Sequence, residues 1–137
     1  MTWAPQEAQK TVYEILELDL VLSGLVTGVF DSASVPQDAE FPYITIDPGS
    51  FGDRSSHTHR GFSTEMTIHV WDQSENLGRK RVQKIQKEVD RLLHTVNICI
   101  EGWNIISLRQ SLCETFLDSD NITIHGVQRF KLLLGEA

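Results

Sequence analysis

Long apolar runs are absent from this 137-residue sequence, in which no stretch of consecutive apolar residues exceeds three. A helix that crosses a bilayer needs about 20 such residues, so no membrane span is predicted. The first residues, Met-Thr-Trp-Ala-Pro-Gln-Glu, also lack the basic and apolar regions of a signal peptide. The sequence therefore predicts a soluble protein that is made in a cytoplasm and has no membrane partner.

Cysteine is scarce as well. Cys99 and Cys113 are the two cysteines of the chain, and neither belongs to a CxxC pair. Both lie among apolar residues, which predicts buried free thiols. A disulfide would form only if two strands brought the two side chains together.

Sequence patterns of common catalytic sites are missing. There is no GxSxG turn, no Gly-rich phosphate loop, no dinucleotide fingerprint and no Ca²⁺-loop spacing. The histidine cluster His57-Thr-His59, followed by His69 on a predicted strand, offers fewer ligands than the three or four of a zinc site and favours an exposed polar loop. We therefore predict no enzyme, metal or cofactor, and keep a small metal-dependent enzyme using His57, His59 and His69 as the alternative.

The net charge of −7 is unevenly distributed along the chain. Residues 1–50 contain eight acidic residues and one base, whereas residues 79–91 contain six bases. Such segregation favours head-to-tail docking of identical subunits, with a solvated helix face as the alternative. A nucleic-acid interface on the bases is disfavoured, because the chain is acidic overall and the bases have no interleaved aromatic residues. The six bases are Arg79, Lys80, Arg81, Lys84, Lys87 and Arg91.

Two segments have the apolar spacing of amphipathic helices. The first is residues 5–22, which starts at Pro5 and is followed by Gly24, a residue type that often ends helices. The second is residues 75–94, for which Ser74 is the expected N-terminal cap. The apolar stripe of the second helix is Leu77, Val82, Ile85, Val89 and Leu92, and its opposite side carries Lys80, Lys84, Lys87 and Arg91.

Four strands in two hairpins complete the predicted fold. The first hairpin pairs residues 41–48 with residues 61–72 through a long connection at 48–61, and the second pairs residues 104–116 with residues 122–134. Gly126 is the expected site of a bulge, because the parity of the apolar residues changes there. Ile106, Leu108, Leu112 and Phe116 are expected to share one side of the third strand.

The predicted architecture is α+β, a single domain over residues 1–137 with the element order α-β-β-α-β-β. Its roughly four-stranded, mainly antiparallel sheet has both helices packed on one face. The other face is left open for partners. It is expected to carry Glu65, His69, Trp71, Arg109 and Arg129.

An ordered set of short motifs resembles a known family. The first helix ends in Leu22-Ser-Gly-Leu-Val-Thr-Gly-Val-Phe-Asp31; the sequences Phe41-Pro-Tyr-Ile-Thr-Ile46, Asp53-Arg-Ser55, Thr67-Ile-His-Val-Trp71 and Thr123-Ile-His-Gly-Val-Gln-Arg-Phe-Lys131 follow. In this order they resemble the tail terminator, or tail completion, proteins of long-tailed phages and gene transfer agents. The residues that match the recurring pattern are Pro42, Tyr43, Asp53, Arg54, Ser55, His69, Trp71, His125, Gly126 and Arg129.

The resemblance implies a structural virion protein without catalytic activity. Such a protein forms a ring, typically a hexamer, at the head-proximal end of the tail tube, ends tube polymerisation and joins the tail to the head connector. Its partners would be copies of itself, the major tail tube protein and the connector, and it would be assembled in the host cytoplasm. A head-side neck adaptor or another minor tail component is the alternative within virion assembly.

Candidate interface residues follow from the long connection and from the basic helix. We expect both to contact a neighbouring subunit or the tail tube, since rings need head-to-tail interfaces and long loops are often functional. The acidic remainder would line a channel through which DNA passes without specific binding, because like charges repel the phosphates. The candidates are Asp53, Arg54, Ser55, His57, His59 and Arg60 in the connection, and Lys80, Lys84, Lys87 and Arg91 on the helix.

Overall fold

Three helices and five strands make up the computed structural model of the protein, which describes residues 2–73, 78–94 and 98–137. Within those ranges no helix is long and apolar enough to span a bilayer. The α+β class is confirmed, but the number of elements differs from the predicted six. The elements are α1 (Ala4–Leu18), α2 (Leu20–Ser23), β1 (Val29–Asp31), β2 (Tyr43–Asp53), β3 (Gly61–Asp72), α3 (Lys80–Leu93), β4 (Trp103–Leu117) and β5 (Ile124–Glu136).

The sheet has the strand order β1-β2-β3-β5-β4, which includes the four predicted strands and one more. The additional strand, β1, pairs with β2 in parallel, whereas the remaining neighbours are antiparallel. No strand was predicted at these residues, and on this point the predicted fold was wrong. With three residues, β1 is too short to show an alternating pattern, and its pairing depends on the distant residues Ile44 to Ile46.

The predicted helix over residues 5–22 is interrupted at Asp19. The backbone of Asp19 is extended, with φ −70° and ψ 127°, and its Oδ2 accepts a hydrogen bond of 2.9 Å from the Leu22 amide. This carboxylate therefore caps a second, short helix, α2, where one continuous helix was expected. Ala8, Val12 and Leu16 are buried and form the apolar stripe of α1.

The C-terminal part of the predicted amphipathic helix over residues 75–94 is confirmed, and it corresponds to α3. Val82, Ile85 and Val89 are fully buried, whereas Lys80 and Lys84 are exposed on the opposite side. The helix starts at Lys80. Residues 78 and 79, which were predicted to be helical, precede the helix, and the predicted cap Ser74 and the predicted buried Leu77 lie outside the described residues.

Half of the predicted long connection at 48–61 is strand. β2 continues to Asp53, and the pairing with β3 shifts register between Pro48 and Phe51. A bulge lets a strand continue past a proline, which cannot donate to the ladder. The hairpin connection is consequently confined to residues 54–60, so the predicted bounds were wrong, although seven residues still exceed the usual two to five of a hairpin loop.

The β4–β5 hairpin carries its irregularities on β4 and none at Gly126. The pairing of β4 with β5 shifts between Ile105 and Ser107 and between Gln110 and Leu112. Because of these shifts, Leu108 faces the core while Leu112 lies beside Arg129 on the other face, so the four apolar residues of this strand do not share one side. The even positions of β5 stay buried from Ile124 to Leu134, and the predicted bulge at Gly126 was wrong.

Gly126 serves close packing of α3 on the sheet. A Cβ atom at this position would lie 2.6 Å from Val82 Cγ1 and 2.6 Å from Gln86 Nε2. The Gln86 amide fits into the space, because its Nε2 donates to the Glu114 carbonyl at 2.9 Å and its Oε1 accepts from Thr115 Oγ1 at 2.8 Å. The glycine thus lets a polar side chain of the helix tie β4 to the core.

The helices cover one face of the sheet, as predicted. α1 packs on β1 and β2, and α3 packs on β3, β4 and β5. The apolar core lies between these two layers. Cys99 and Cys113 lie outside this core as exposed free thiols, so the prediction of buried cysteines was wrong; Cys113 belongs to the edge strand β4.

Candidate functional site

The hairpin between β2 and β3 holds six of the candidate residues and owes its shape to the Asp53-Arg54-Ser55 tripeptide. The Ser55 amide donates to Asp53 Oδ1 at 2.8 Å, and Ser55 Oγ accepts from the Gly61 amide at 3.1 Å. Hydrogen bonds from Ser55 lower the pKa of the Asp53 carboxyl, so the turn forms with Asp53 ionised. The Arg54 amide closes the hairpin by donating to the Gly61 carbonyl at 2.8 Å.

The tip of this hairpin presents a basic and polar surface. His57 and His59 are exposed, and Ser56 Oγ fixes the backbone by accepting from the His59 amide at 3.1 Å. The Arg60 guanidinium lies 5.0 Å from the centre of the Phe62 ring, where a cation is attracted to the aromatic face. Ser56, His59 and Arg60 line one shallow groove together with the exposed Ile106 of β4.

The remaining four candidates lie on α3 and are not equivalent to one another. Lys80, Lys84 and Lys87 are exposed and make no ion pair with the part of the chain that the structure describes. Arg91 instead binds Asp19 at 2.9 Å and Glu88 at 2.6 Å, and these partners raise its pKa. Arg91 is therefore partly occupied within its own subunit.

The hairpin and α3 do not form one site. The hairpin precedes Gly61 at the start of β3, whereas α3 begins beside Asp72 at the end of that strand, where Arg81 Nε donates to the Asp72 carboxylate at 2.8 Å. The 12 residues of β3 separate these positions by about 35 Å. The candidate residues thus belong to two surfaces.

A stacked cluster of aromatic and imidazole rings lies on the open sheet face. Trp71 and His125 face each other on β3 and β5 with ring centres 3.8 Å apart, and Trp71 Nε1 donates to Thr45 Oγ1 at 3.0 Å. His69 Nδ1 lies 2.8 Å from His125 Nε2, so one ring donates a hydrogen bond to the other. Burial, followed by the charge of His69, lowers the pKa of His125 to about 4, and burial also lowers the pKa of His69.

The metal-enzyme alternative required His57, His59 and His69 to converge. The structure places His69 in the ring cluster on β3, with His125 as its partner, and keeps His57 and His59 in the hairpin. Within residues 2–73, 78–94 and 98–137, no group of three or more His, Cys, Asp or Glu side chains is placed to share a metal ion.

Charged residues on the open sheet face follow the predicted placement. Glu65 lies 3.8 Å from Arg129 and 3.7 Å from Lys131, which are on the neighbouring strand β5. Arg109 lies opposite Lys131 on the next strand, β4. These side chains give the open face mixed charge, in contrast to the one-signed basic stripe of α3.

An aliphatic knuckle at the α1–α2 junction was missed by the sequence analysis. It consists of Leu18, Leu20 and Val21, which are 74%, 87% and 55% exposed. Leu18 is the last residue of α1, and Leu20 and Val21 are the first residues of α2, which begins after the break at Asp19. The signal that could have identified it is an aspartate with the spacing of a cap before Leu22.

Comparison with known proteins gives consistent results. A family model described as tail completion protein gp17 matches residues 10–135. Tail completion protein gp17 of Bacillus phage SPP1 is 26% identical over 136 residues, which are 98% of each chain. The solved structure of bacteriophage SPP1 gp17 covers 94% of this chain and 89% of its own, with 26% identity and a TM-score of 0.66.

A second solved structure shares the fold. A chain in the virion of a native gene transfer agent particle superimposes with a TM-score of 0.81, and the match covers 93% of both chains. Its sequence identity is 21%, so this likeness shows the fold alone.

Proposed function

This chain belongs to the gp17 family of tail completion proteins, and we propose that it forms a hexameric ring at the head-proximal end of a phage tail tube. In this position it ends tube polymerisation and joins the tail to the head connector. The ring is built from single domains of residues 1–137, and it is assembled in the host cytoplasm. A structural, non-catalytic role is typical of this family.

The distribution of charge over the two sides of the helical layer carries the proposal. α1 lies over the β1 edge of the sheet with the acidic Glu14 and Glu17 exposed, and α3 lies towards the β4 edge with Lys84 and Lys87 exposed. Opposite charges on the two helices allow each subunit to bind the next in the same orientation. Such a heterologous contact is the type that closes into a ring.

The hairpin supports the proposed contact with the tail tube. Its residues Arg54, His59 and Arg60 extend from one end of the sheet and frame the groove that contains Ile106, which is 63% exposed. An apolar side chain in a basic and polar frame is typical of a protein interface. We assign this end to the tube protein or to the adjacent subunit at the tube end, and the opposite axial face to the connector.

DNA passes through the lumen of the proposed ring without specific binding. The net charge of −7 supports this, because a negative wall repels the phosphates. A ring with a basic lumen would contradict this part of the proposal.

Charge reversal tests the ring directly. The double variant Lys84→Glu/Lys87→Glu should weaken each subunit contact about tenfold, because two attractive pairs become repulsive. Adding Glu14→Lys and Glu17→Lys should restore the ring, since the complementary charges are then exchanged. The measurements are the mass of the complex on purified tails and the tail length in electron micrographs.

Arg109→Glu is the matched control, because it reverses a charge on the open sheet face. It should leave ring formation unchanged. The ring proposal fails if the double variant forms rings and normal tails as the wild type does. Recovery of the chain on the head side of the connector would instead favour a neck adaptor.

A further inference from the structure

We propose that the outer edge of β4 in one copy pairs with the outer edge of β1 in the next copy, and that Phe116 on the first edge packs against Phe30 on the second. The inference rests on the proposed function, because it names the contact by which neighbouring subunits of the ring meet. The contact extends the five-stranded sheet from one copy to the next.

Both outer edges of the sheet lack a neighbouring strand among the residues that the structure describes. β4 has 15 residues, whereas most strands have about five or six. An exposed edge presents unpaired N–H and C=O groups that can bind another strand. Bulges hinder such pairing, but both register shifts of β4 lie before Leu112. The stretch from Leu112 to Leu117 is therefore regular and can pair on its outer side.

The strand directions favour a second copy of the chain in the same orientation. β1, β2 and β5 run in one direction, and β3 and β4 run in the other. When all copies have one orientation, as in a ring, β4 of one copy lies antiparallel to β1 of the next. Antiparallel pairing is the slightly more stable type. The same arrangement sets α3, which packs on β4, beside α1 of the next copy, which packs on β1.

The two edges lie at the same height in the sheet. The strand pairings connect Phe30 on β1 with Glu114 on β4 in one continuous row across the five strands. The regular stretch of β4 is thus level with β1. A slip of one residue would exchange the two faces, so the alternation of side chains sets the register between copies. The residues that connect the two ends of this row are Thr45, His69 and Val127.

A row of aromatic rings crosses the open face beside this position and reaches both edges. Tyr43, Trp71, His125 and Phe116 lie opposite one another on β2, β3, β5 and β4. The centre of the Phe116 ring lies 5.0 Å from that of His125. At the other edge, Phe30 lies edge-on to Tyr43 with a centre distance of 5.9 Å. The aromatic row therefore ends in a phenylalanine at each edge of the sheet.

Gly28 places the Phe30 ring in this row. A Cβ atom at Gly28, the residue before β1, would lie 2.6 Å from Phe30 Cζ, so the ring occupies the place of the missing side chain. Phe30 and Phe116 are both partly exposed. When the two edges pair, each ring covers the exposed side of the other, which buries apolar area and forms an aromatic contact. Because one chain supplies both ends of the row, we identify the occupant of the β4 edge as a second copy.

Site-specific crosslinking on completed tails tests this contact. The photoreactive residue p-benzoylphenylalanine replaces Phe116, the protein is added to purified tails that lack it, and crosslinked peptides are identified by mass spectrometry after irradiation. The expected product joins position 116 to the segment containing Phe30 of a second copy. Within one copy these positions are four strand spacings apart, about 19 Å, so the product cannot form inside a single chain. The same photoreactive residue at Ile106, near the start of β4, is the control and should not give this product.

The outcomes of the crosslinking separate the edge contact from the ring. A ring in which position 116 crosslinks only to another segment, to the tube protein or to the connector overturns the edge contact and leaves the ring proposal intact. A wild-type chain that forms no ring on tails overturns both.

A double-mutant cycle gives a second readout. Phe30→Ala and Phe116→Ala should each raise the subunit concentration that completes half of the tails about tenfold. Residues this far apart in one chain act independently unless they meet across an interface, so the double variant should need about tenfold and not about a hundredfold more protein. Ile122→Ala, at an exposed aliphatic residue in the turn after β4, is the matched control and should leave the effect of Phe30→Ala unchanged. Additive effects of the two phenylalanine substitutions, or normal tail completion by Phe116→Ala, overturn the contact.

Discussion

Replacing Gly126 with alanine should destabilise the fold, because α3 packs directly on the backbone at this position. The added Cβ would lie 2.6 Å from Val82 Cγ1 and from Gln86 Nε2. The valine is branched at Cβ and stiff in a helix, and the Gln86 amide is held by Glu114 and Thr115. Neither neighbour can move away without cost.

The magnitude follows from two opposing effects. Overpacking a closely packed core costs about 1–3 kcal/mol, while alanine gains up to about 1 kcal/mol over glycine through the unfolded chain. The expected net loss in the free energy of unfolding is therefore about 1–2 kcal/mol. Urea unfolding followed by circular dichroism measures it as a lower midpoint at unchanged m-value.

A matched glycine serves as the control. A Cβ at Gly24 would meet the Val21 carbonyl oxygen at 3.5 Å, an ordinary contact, and its φ of −80° suits any residue. Gly24→Ala should therefore leave stability unchanged or raise it slightly. The close-packing account of Gly126 is refuted if Gly126→Ala is as stable as Gly24→Ala.

Two further predictions concern buried polar groups. Asp72 is fully buried and bound by Arg81, so Asp72→Asn should lower the free energy of unfolding by about 2 kcal/mol in urea titrations; an unchanged midpoint would show that the ion pair contributes nothing. The pKa of His125 is lowered from 6.5 to about 4, so the unfolded chain binds more protons between these values and stability should fall as pH drops from 6.5 to 4. Because the imidazole ring of His125 is about half exposed, the expected loss in the free energy of unfolding is about 1 kcal/mol. The His125→Gln variant should not show this loss, and an equal pH dependence in that variant would exclude His125 as its source.

The features that could be predicted from sequence depend on local periodicity. The apolar stripe of α3 at Val82, Ile85 and Val89 and the alternation of β3 repeat over several turns or strand pairs, so a single sequence reveals them. The open sheet face with Glu65, His69 and Trp71 follows from the same alternation. These elements fixed the α+β class and the side of the sheet that the helices cover.

The features that were missed depend on contacts between distant residues or on single-residue irregularities. β1 exists because Val29 to Asp31 can pair with β2, and this pairing leaves no periodic pattern. The shifts on β4 move Leu112 to the open face without a glycine or proline to signal them. Gly126 was expected to allow a bulge in β5. It instead leaves room for Val82 and Gln86 of α3, which are distant in the sequence.

The candidate residues also divide into those with a local sequence pattern and those that depend on contacts between distant residues. The Asp53-Arg54-Ser55 turn and the exposed lysines of α3 were found as motifs. The pairing of Arg91 with Asp19 joins residues 72 positions apart, and no spacing rule predicts it. The aliphatic knuckle depends on that pairing, because Asp19 both interrupts the helix and fixes the turn to α3.

Cryo-electron microscopy of completed tails, with the rotational symmetry determined from the images, tests the central claim most directly. The account predicts six copies of this fold in a ring at the head-proximal end of the tube, with acidic α1 of each copy beside basic α3 of its neighbour. Density for the chain elsewhere in the particle, or a tube end closed without a ring of this fold, would contradict it.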